Sequence, residues 1–416
     1  MQNILNFKKD YPKAQVIMLE QNYRSCAPIL EVANKVIRLN PGQYEKKLWT
    51  ENKKGEKVRL YEARDEVDEA RFVLERIIGN RSPDQSETVV YESEQTPILD
   101  RFARWKFRSD SPILRFSELP SDLSETVILY RTHAQSRPFE EALLSAGVPY
   151  QIVGGMKFYE RREIKDTVAY LRLTQNPRDL VSLERIVNVP ARGIGPAAFK
   201  IIQKGLVKYA YDYRGLHKNL EELELSPKAR VSAMIFFDLY IKAAEAMTVA
   251  GIWEIMNLLL LRSGYKDALL ADREEGQTRW ENIEELFNAA TKYKDLPGDE
   301  GIKQFLEEVA LMSDLDNLEE TGNKLTLMTL HSAKGLEFDR VFFVGLEEGI
   351  LPHARSLLHP TEIAEEIRLA YVGITRARKN LFLTYAKQRQ TWGELKRSVP
   401  SRILKAIPKK MLEKLN

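Results

Sequence analysis

The sequence predicts an α/β domain with a parallel sheet, split in sequence by an inserted all-helical domain. Three observations lead to this expectation. Strand-like and helix-like patterns alternate up to residue 154, strand signals become rare over residues 155–322, and the alternation returns in 323–416. Such alternation is typical of βαβ units, in which helices connect parallel strands. We therefore expect 1–154 and 323–416 to form one domain and 155–322 to form another.

Apolar and amphipathic runs alternate in the first segment. The run VIML at residues 16–19 predicts a buried strand, and ETVILYR at 125–131 is the clearest strand of the chain. Ser136 is expected to cap a helix that continues through Ala146 and stops at Gly147. Further elements are expected as strands at residues 58–63 and 149–155 and as an amphipathic helix at 65–78.

The rest of the chain divides into two segments with different patterns of predicted elements. Residues 155–322 show a succession of helix patterns, enough for a domain of their own. In the third segment, strands are expected at residues 324–330, 340–346 and 380–386, with a helix at 361–379. Residues 80–123 carry no regular pattern. We expect an irregular insert there, because connections of that length are usually functional loops or disordered segments.

Composition and charge exclude several classes of protein. Of 416 residues, 44% are hydrophobic and 30% are charged, which is ordinary for a globular protein, and the formal net charge is +3. The single cysteine, Cys26, excludes an intrachain disulfide and a cysteine metal cluster, and it favours a reducing, cytoplasmic location. No apolar run reaches the roughly 18 residues of a membrane span. The basic stretch 396–416 is expected to be a solvated face or a frayed tail, with a phosphate-contacting tail as the alternative.

The stretch QNYRS at residues 21–25 raises the question of function. We expect it in a loop between the strand at 16–19 and a helix that starts near Pro28, at an edge where α/β proteins bind ligands. A tyrosine such as Tyr23 can stack on a base, and an arginine such as Arg24 can hold a phosphate. Taken alone, the same two residues are better explained as a tyrosine at a strand end and an arginine in a surface ion pair.

Two further segments give QNYRS its context. They are TLHSAKGLEFDRVFFVGLEEGILPH at residues 329–353 and EEIRLAYVGITRAR at 365–378. With QNYRS they resemble motifs of the UvrD/Rep/PcrA family of superfamily 1 DNA helicases, and VPARGIG at 189–195 and YRTHAQSR at 130–137 resemble two more segments of that family. The resemblance covers nearly the whole chain in the family's order. It implies a RecA-like motor domain, called 2A in the family, with an inserted helical domain called 2B.

The resemblance implies a nucleotide site for ATP. Tyr23 is expected to stack on adenine, Arg24 to reach the γ-phosphate, and Glu337 to accept hydrogen bonds from the ribose hydroxyls. Arg376 matches the family's arginine finger, which stabilises charge on the transferred phosphoryl group. We expect Arg376 on the polar side of the helix at 361–379. Without the resemblance, Glu337 and Arg376 are a solvated turn residue and an exposed helix residue.

The resemblance also implies contacts to single-stranded DNA and to a duplex junction. The expected contacts are Arg131, His133, His331, Lys334 and His353, together with Gly193, Ile194 and Gly195 of the GIG element, which grips duplex DNA in the family. At His133 the family commonly has asparagine, and a histidine is larger and titrates near neutral pH. That contact is therefore the least secure. No metal site is expected, because the histidines lack a completing set of ligands.

The phosphate-binding loop of an ATPase is missing. Such a loop reads GxxxxGK followed by Ser or Thr, and the dipeptide Gly-Lys does not occur in this chain. No apolar strand ends in the Asp-Glu pair that holds Mg²⁺. We therefore expect the C-terminal half of a 3′–5′ helicase, inactive alone, whose Mg²⁺ ligands lie on an N-terminal motor domain. The alternatives are a non-catalytic DNA-binding or regulatory protein that keeps the fold and, less favoured, an unrelated α/β metabolic enzyme.

Overall fold

A parallel sheet forms the centre of the α/β part. The computed structural model describes residues 11, 13, 17–40, 48–79, 120–316 and 322–415. Within these residues a seven-stranded sheet has the order β3-β4-β2-β5-β6-β1-β9, and each neighbouring pair is parallel. Its strands are β1 (Val58–Ala63), β2 (Thr126–Tyr130), β3 (Tyr150–Val153), β4 (Leu325–Thr329), β5 (Phe338–Phe343), β6 (Ala377–Ala386) and β9 (Leu412–Leu415). The predicted α/β class with a parallel sheet is confirmed.

Helices cover both faces of this sheet. On the α/β part they are α1 (Ala27–Ile37), α2 (Glu66–Ile78), α3 (Arg137–Ser145), α13 (Pro360–Ile374) and α14 (Arg402–Lys405). Residues of α1 and α13 pack on one face against Val127 and Leu129 of β2, whereas α2 and α3 pack on the other against Ile128 and Tyr130. Successive side chains of a strand point to opposite faces, so one short strand contributes to both cores.

Between β3 and β4 the described chain is helical. Its helices are α4 (Arg162–Gln175), α5 (Leu180–Ile186), α6 (Pro196–Lys208), α7 (Tyr213–Lys218), α8 (Pro227–Ala246), α9 (Ile252–Arg262), α10 (Tyr265–Leu270), α11 (Gly276–Ala290) and α12 (Gly298–Asp316). They share a hydrophobic core that includes Phe236, Phe287 and Phe305. No helix among the described residues is long and apolar enough to cross a membrane.

A small hairpin that follows β6 contacts the helical part. Its strands are β7 (Gln388–Thr391) and β8 (Glu394–Arg397), and its two turn residues, Trp392 and Gly393, have φ values of 53° and 72°. Positive φ at both central residues is what a tight two-residue hairpin requires. The Trp392 ring lies 5.7 Å from the Phe287 ring of α11, centroid to centroid. The hairpin tip therefore packs against the helical core.

Three expectations about elements are wrong. Residues 17–20 form no strand, and Ile17 and Leu19 are 72% and 77% exposed, because this run has no ladder partner among the described residues. The helix expected at 361–379 ends at Ile374, since the chain turns there and enters β6. The basic C-terminal stretch is not a frayed tail: β9 pairs with β1 and closes one edge of the sheet. Residues 80–119 of the expected irregular insert lie outside the described residues.

Candidate functional site

The QNYRS loop is held by hydrogen bonds within itself and to β6. The Asn22 side chain accepts hydrogen bonds from the backbone N–H groups of Arg24 and Ser25 at 2.9 and 2.8 Å. Such an Asx turn fixes a loop without secondary structure. The Ser25 hydroxyl donates to the Ala377 carbonyl at 2.7 Å, and the Cys26 N–H donates to the Arg378 carbonyl at 3.1 Å. The loop is thereby attached to the first residues of β6.

This attachment places the loop at the amino edge of the sheet. Ala377 begins β6, and Glu337 immediately precedes β5. The sequence predicted a strand-to-helix loop at the sheet edge where α/β proteins bind ligands. In parallel sheets this is the carboxyl edge. That expectation is wrong, because no strand precedes the loop among the described residues and because its partners are strand starts.

Tyr23 is the most exposed side chain of the loop. It is 82% exposed, and its hydroxyl donates to the Gln21 side chain at 2.8 Å. One hydrogen bond at the tip leaves both faces of the ring accessible. Aromatic faces of this kind stack readily on bases.

Arg24 and Glu337 form an ion pair beside this ring. The Arg24 Nε donates to Glu337 Oε2, and Nη1 of Arg378 lies 3.6 Å from Glu337 Oε1. The hydrogen bond from Arg24, more than any other contact, holds the pKa of Glu337 below its ordinary value. The carboxylate is therefore ionised at neutral pH and can accept hydrogen bonds. Arg378 is held in turn by Asp339, whose carboxylate accepts from its Nε at 2.7 Å.

Arg376 lies at the same edge but is not the exposed helix residue that was expected. It follows the end of α13 and is only 9% exposed. Its guanidinium donates to the Val372 and Leu336 carbonyls at 2.9 and 2.8 Å. Burial, followed by the positive charge of Arg24, lowers the pKa of Arg376 to about 10, so the side chain stays protonated at neutral pH. The physical reason for the difference is that the side chain caps the last turn of α13.

A second group of predicted residues lies at the opposite, carboxyl edge. Arg131 follows β2, and its guanidinium forms a two-pronged ion pair with Glu366 of α13, with Nε–Oε2 and Nη2–Oε1 distances of 2.9 and 2.7 Å. The Glu366 side chain is 4% exposed. Glu366 Oε2 also accepts the backbone N–H of His353 at 2.9 Å. Planar guanidinium and carboxylate groups suit this geometry.

The two histidines of the 329–353 segment lie near this pair. Burial and then the charge of Arg131 lower the pKa of His331, so its ring is neutral at pH 7. Burial likewise lowers the pKa of His353, although the Glu281 carboxylate of α11 opposes the shift. The His353 Nε2 lies 3.8 Å from Glu281 Oε1. Lys334 is exposed in the β4–β5 loop. Arg131, His331 and His353 thus lie around one buried carboxylate.

His133 is packed rather than freely presented. A Cβ added to Gly155 would lie 2.5 Å from the His133 ring, so the ring is in close contact with that backbone. Burial, followed by the charge of Arg161, lowers the pKa of His133 to about 4. The expectation that His133 titrates near neutral pH is therefore wrong. Its Nδ1 is buried without a hydrogen-bond partner among the described residues.

The GIG element lies in the helical part, apart from both groups. Gly193 has φ of 78°, and Gly195 is the N-cap of α6. The Ile194 side chain is buried, and its N–H donates to the Asn188 side chain at 3.1 Å. Only the glycine backbone of this element is therefore presented to solvent, at a helix N-terminus that favours an anion. The Lys228 side chain lies beside Gly193.

Comparison with known proteins shows the family of the chain. The family model of the UvrD-like helicase C-terminal domain matches residues 17–105 and 111–388. The chain belongs to this family. It is 40% identical over 421 residues to the ATP-dependent DNA helicase PcrA of Bacillus subtilis (strain 168), an alignment that covers 100% of this chain and 52% of the relative.

Two further relatives of this UvrD-like domain give the same result. The ATP-dependent DNA helicases PcrA of Leuconostoc citreum and Staphylococcus aureus (strain Mu50 / ATCC 700699) are 39% and 38% identical to it. Each alignment covers 99% of this chain and 52% of the relative. The chain thus spans about half the length of the curated relatives it matches.

Several residues that order the loops of the candidate site were not predicted from the sequence. Asn22 and Asn188 order the QNYRS and GIG loops by accepting two backbone N–H groups each. Gln135 does the same for Arg131 and Thr132, at 2.9 and 3.0 Å. Asn and Gln at loop positions are a general signal of such turns, but the signal does not say which loop is functional.

Proposed function

We propose that this chain supplies the second wall of an ATP cleft and part of a single-stranded DNA track in an ATP-dependent 3′–5′ DNA helicase. Under this proposal the first wall, with the phosphate loop and the Mg²⁺ ligands, belongs to an N-terminal motor domain on the same or a separate polypeptide. The chain alone then hydrolyses no ATP. The division into a motor domain 2A (1–154 and 323–416) and a helical domain 2B (155–322), and a cytoplasmic location, belong to the same proposal.

The observation that carries the proposal is the convergence of four side chains on one sheet edge. Tyr23, Arg24, Glu337 and Arg376 come from three distant parts of the sequence, yet they surround the starts of β5 and β6. An accessible aromatic face, an ionised carboxylate and two arginines match the base, the ribose hydroxyls and the phosphates of a nucleotide.

The ion pairs at this edge allow Arg24 to exchange its carboxylate partner for a phosphate when a nucleotide binds. In the structure Arg24 and Glu337 are partners of each other. A phosphate would attract Arg24 away, and Arg378 would remain beside Glu337 to balance its charge. Arg376 is protonated and lies behind the pair. Its role as the finger requires its guanidinium to leave the Leu336 carbonyl, which a phosphate oxygen can replace as acceptor.

The DNA track is proposed for the carboxyl edge. Arg131, His331, Lys334 and His353 lie there, and neutral histidines can donate hydrogen bonds to phosphate oxygens. His133 stays in this proposal only as a neutral neighbour of the track, since its ring is packed against Gly155. The backbone of Gly193 and Gly195 and the N–H groups at the start of α6 are proposed to contact the duplex.

Reconstitution tests the proposal. The chain is fused to the N-terminal half of the Bacillus subtilis relative, and steady-state ATPase activity is measured with and without oligo(dT). We expect no activity from the chain alone and DNA-stimulated activity from the fusion. Arg376→Ala in the fusion should lower kcat by ~10³–10⁵, the range found for arginine fingers.

The matched control is Arg172→Ala, which removes an exposed arginine of α4 and should leave kcat unchanged. DNA-stimulated ATPase activity from the chain alone would refute its proposed role as one half of the ATP site. A kcat of Arg376→Ala equal to that of the control would refute the proposed role of Arg376 as the arginine finger. A fusion that binds DNA without any ATPase activity would favour the non-catalytic alternative.

A further inference from the structure

A basic depression of about 440 Å³ lies at the far side of the same carboxyl edge. It is lined by the ends of β1 and β9, the first turn of α2, and Lys387, which follows β6. The Lys387 N–H donates to the Ala63 carbonyl at 2.8 Å and thereby closes one side. The depression is three strands from β2 in the order β2-β5-β6-β1. At ~4.8 Å per strand that is about 14 Å from the Arg131 group.

The charges around this depression do not balance. Its lining includes four cations, Arg64, Arg71, Lys387 and Lys414, and two carboxylates. The side chains of the four cations are between 40% and 62% exposed. Long exposed side chains of this kind can turn toward a ligand while their stems stay packed.

Each carboxylate is shared by two cations. Asp68 accepts from Arg71 Nη2 at 2.5 Å and from Arg64 Nη2 at 3.4 Å. Glu62 Oε2 accepts from Lys414 Nζ at 2.8 Å, and its Oε1 lies 3.7 Å from Lys387 Nζ. The lining therefore carries two more positive than negative charges, and Glu75, which lies outside the lining 3.9 Å from Arg71 Nε, offsets one of them.

The aromatic residue of this lining is already engaged on one side. The Tyr61 ring stacks on Phe72 with 3.9 Å between the centroids, and its hydroxyl donates to Asp68 at 3.1 Å. Charged side chains therefore dominate the contacts that the depression offers. A surface dominated by cations matches the phosphates of a nucleic acid better than its bases.

We propose that this depression binds the phosphodiester backbone of a nucleic-acid strand, independently of sequence. It is a second contact site on the carboxyl edge, separated from the Arg131 group by the β7–β8 hairpin, which begins directly after Lys387. The proposal rests on the DNA-binding function proposed above. It adds a strand position that Arg131, His331 and Lys334 do not cover.

The test uses the 416-residue chain and a fluorescein-labelled dT₃₀ oligonucleotide. Affinity is measured by anisotropy over a series of NaCl concentrations. Each phosphate neutralised on a single strand contributes about −0.7 to the slope of log K against log salt. Lys387→Gln with Lys414→Gln should therefore make the slope shallower by about 1.4, which is a difference of about 25-fold over a tenfold change in salt. Glu62→Gln, which frees both lysines, should make the slope steeper.

The matched control is Lys208→Gln with Lys242→Gln. These helical-part lysines are 58% and 63% exposed and each is ion-paired, so the charge change and the exposure are the same. A slope for the Lys387/Lys414 variant equal to that of the control would overturn the proposal. If Lys334→Gln still reduced the slope in that case, the proposed track would stand without the second site. If the wild-type chain did not bind dT₃₀ at all, the proposed function would fail as well.

A separate measurement distinguishes a strand from a small phosphate. Inorganic phosphate is titrated into the chain and its variants by calorimetry at constant ionic strength. Phosphate binding that depends on Lys387 and Lys414, combined with an unchanged dT₃₀ slope, would assign the depression to a small anion and overturn the proposal. The absence of measurable phosphate binding together with the predicted change in slope would support it.

Discussion

Arg389 is the central cation of a buried ion cluster at the base of the β7–β8 hairpin, and its replacement tests how that cluster holds the fold. Its Nε donates to both oxygens of Glu347 at 2.9 Å, and its Nη2 donates to Glu69 at 2.6 Å. The Arg389 side chain is 16% exposed, whereas those of Glu69 and Glu347 are 0% and 1% exposed. The perturbation is Arg389→Met, which keeps the volume of the stem and removes the charge.

The magnitude follows from what the substitution leaves behind. Two carboxylates without solvent would face each other, each deprived of its guanidinium partner. Breaking a buried pair by removing one partner costs about 3–5 kcal/mol, because the remaining charge is uncompensated. Other donors moderate this loss, since Glu69 keeps the Thr384 hydroxyl and Glu347 keeps the Ala386 N–H. We therefore expect a loss of about 3–5 kcal/mol in the free energy of unfolding.

The measurement is urea unfolding followed by circular dichroism, with Arg402→Met as the matched control. Arg402 makes the same kind of pair with Glu348, but its side chain is 42% exposed, so its loss should cost about 0–1 kcal/mol. Adding Glu69→Gln and Glu347→Gln to Arg389→Met should recover much of the lost stability, since the two carboxylates that lost their partner are then neutral as well. Equal losses for Arg389→Met and Arg402→Met would refute this reasoning.

Three other predictions concern charge. Burial raises the pKa of Glu66 to about 7. The protonated carboxyl group therefore contributes its full stability below the unfolded pKa near 4.3, and this contribution is lost as pH rises through 7. Between pH 5 and pH 8 the free energy of unfolding in urea should fall by roughly 3 kcal/mol more for the wild type than for Glu66→Gln. Glu366→Gln releases Arg131 and should strengthen binding to dT₃₀ with a salt slope steeper by about 0.7, whereas Glu362→Gln on the exposed first turn of α13 should not. With its pKa near 4, His133 should add no pH dependence to DNA binding from pH 6 to 8, so His133→Gln should leave the pH profile unchanged in the same anisotropy assay.

The sequence was most informative where burial and pattern coincide. The strand at 126–130 and the helix at 66–78 were predicted almost to the residue, because the strand is a continuous apolar run and the apolar positions of the helix follow a period of 3.6. Asp65 caps the latter helix by accepting the Asp68 N–H, an ordinary start signal. The fold class followed from the order of such elements.

The predictions from sequence failed where the apolar character of a segment does not match its burial. The run at residues 16–19 is as apolar as a core strand, but its described residues are exposed, and a sequence pattern does not say what covers an apolar surface. In contrast, β9 is an edge strand with the sequence LEKL, which is too polar to signal a strand. The turn at Trp392 and Gly393 lacks the Asn-Gly or Asp-Gly pair that signals a two-residue hairpin, and its flanking strands are polar.

For the candidate site, resemblance identified residue types, and only the structure gave their partners. Arg24 and Glu337 are 313 positions apart in sequence, and no pattern predicts that they pair. The same is true of Arg131 and Glu366, which are 235 positions apart. Partners of this kind depend on strand order, here β2 next to β5 and β5 next to β6, and strand order is not contained in local periodicity.

Under the proposed function, helix α13 gives a physical reason why the two edges of the sheet bind different ligands. Its buried face, which includes Ile367 and Ile374, packs on the sheet, so the helix cannot tilt freely. From the middle of the helix Glu366 holds Arg131 at the carboxyl edge, and after the helix end Arg376 caps the Val372 carbonyl at the amino edge. A helix C-terminus carries partial negative charge and repels phosphate. Under the same proposal, cations supply the attraction for phosphates at the amino edge, and the backbone cradle for phosphates lies on another domain.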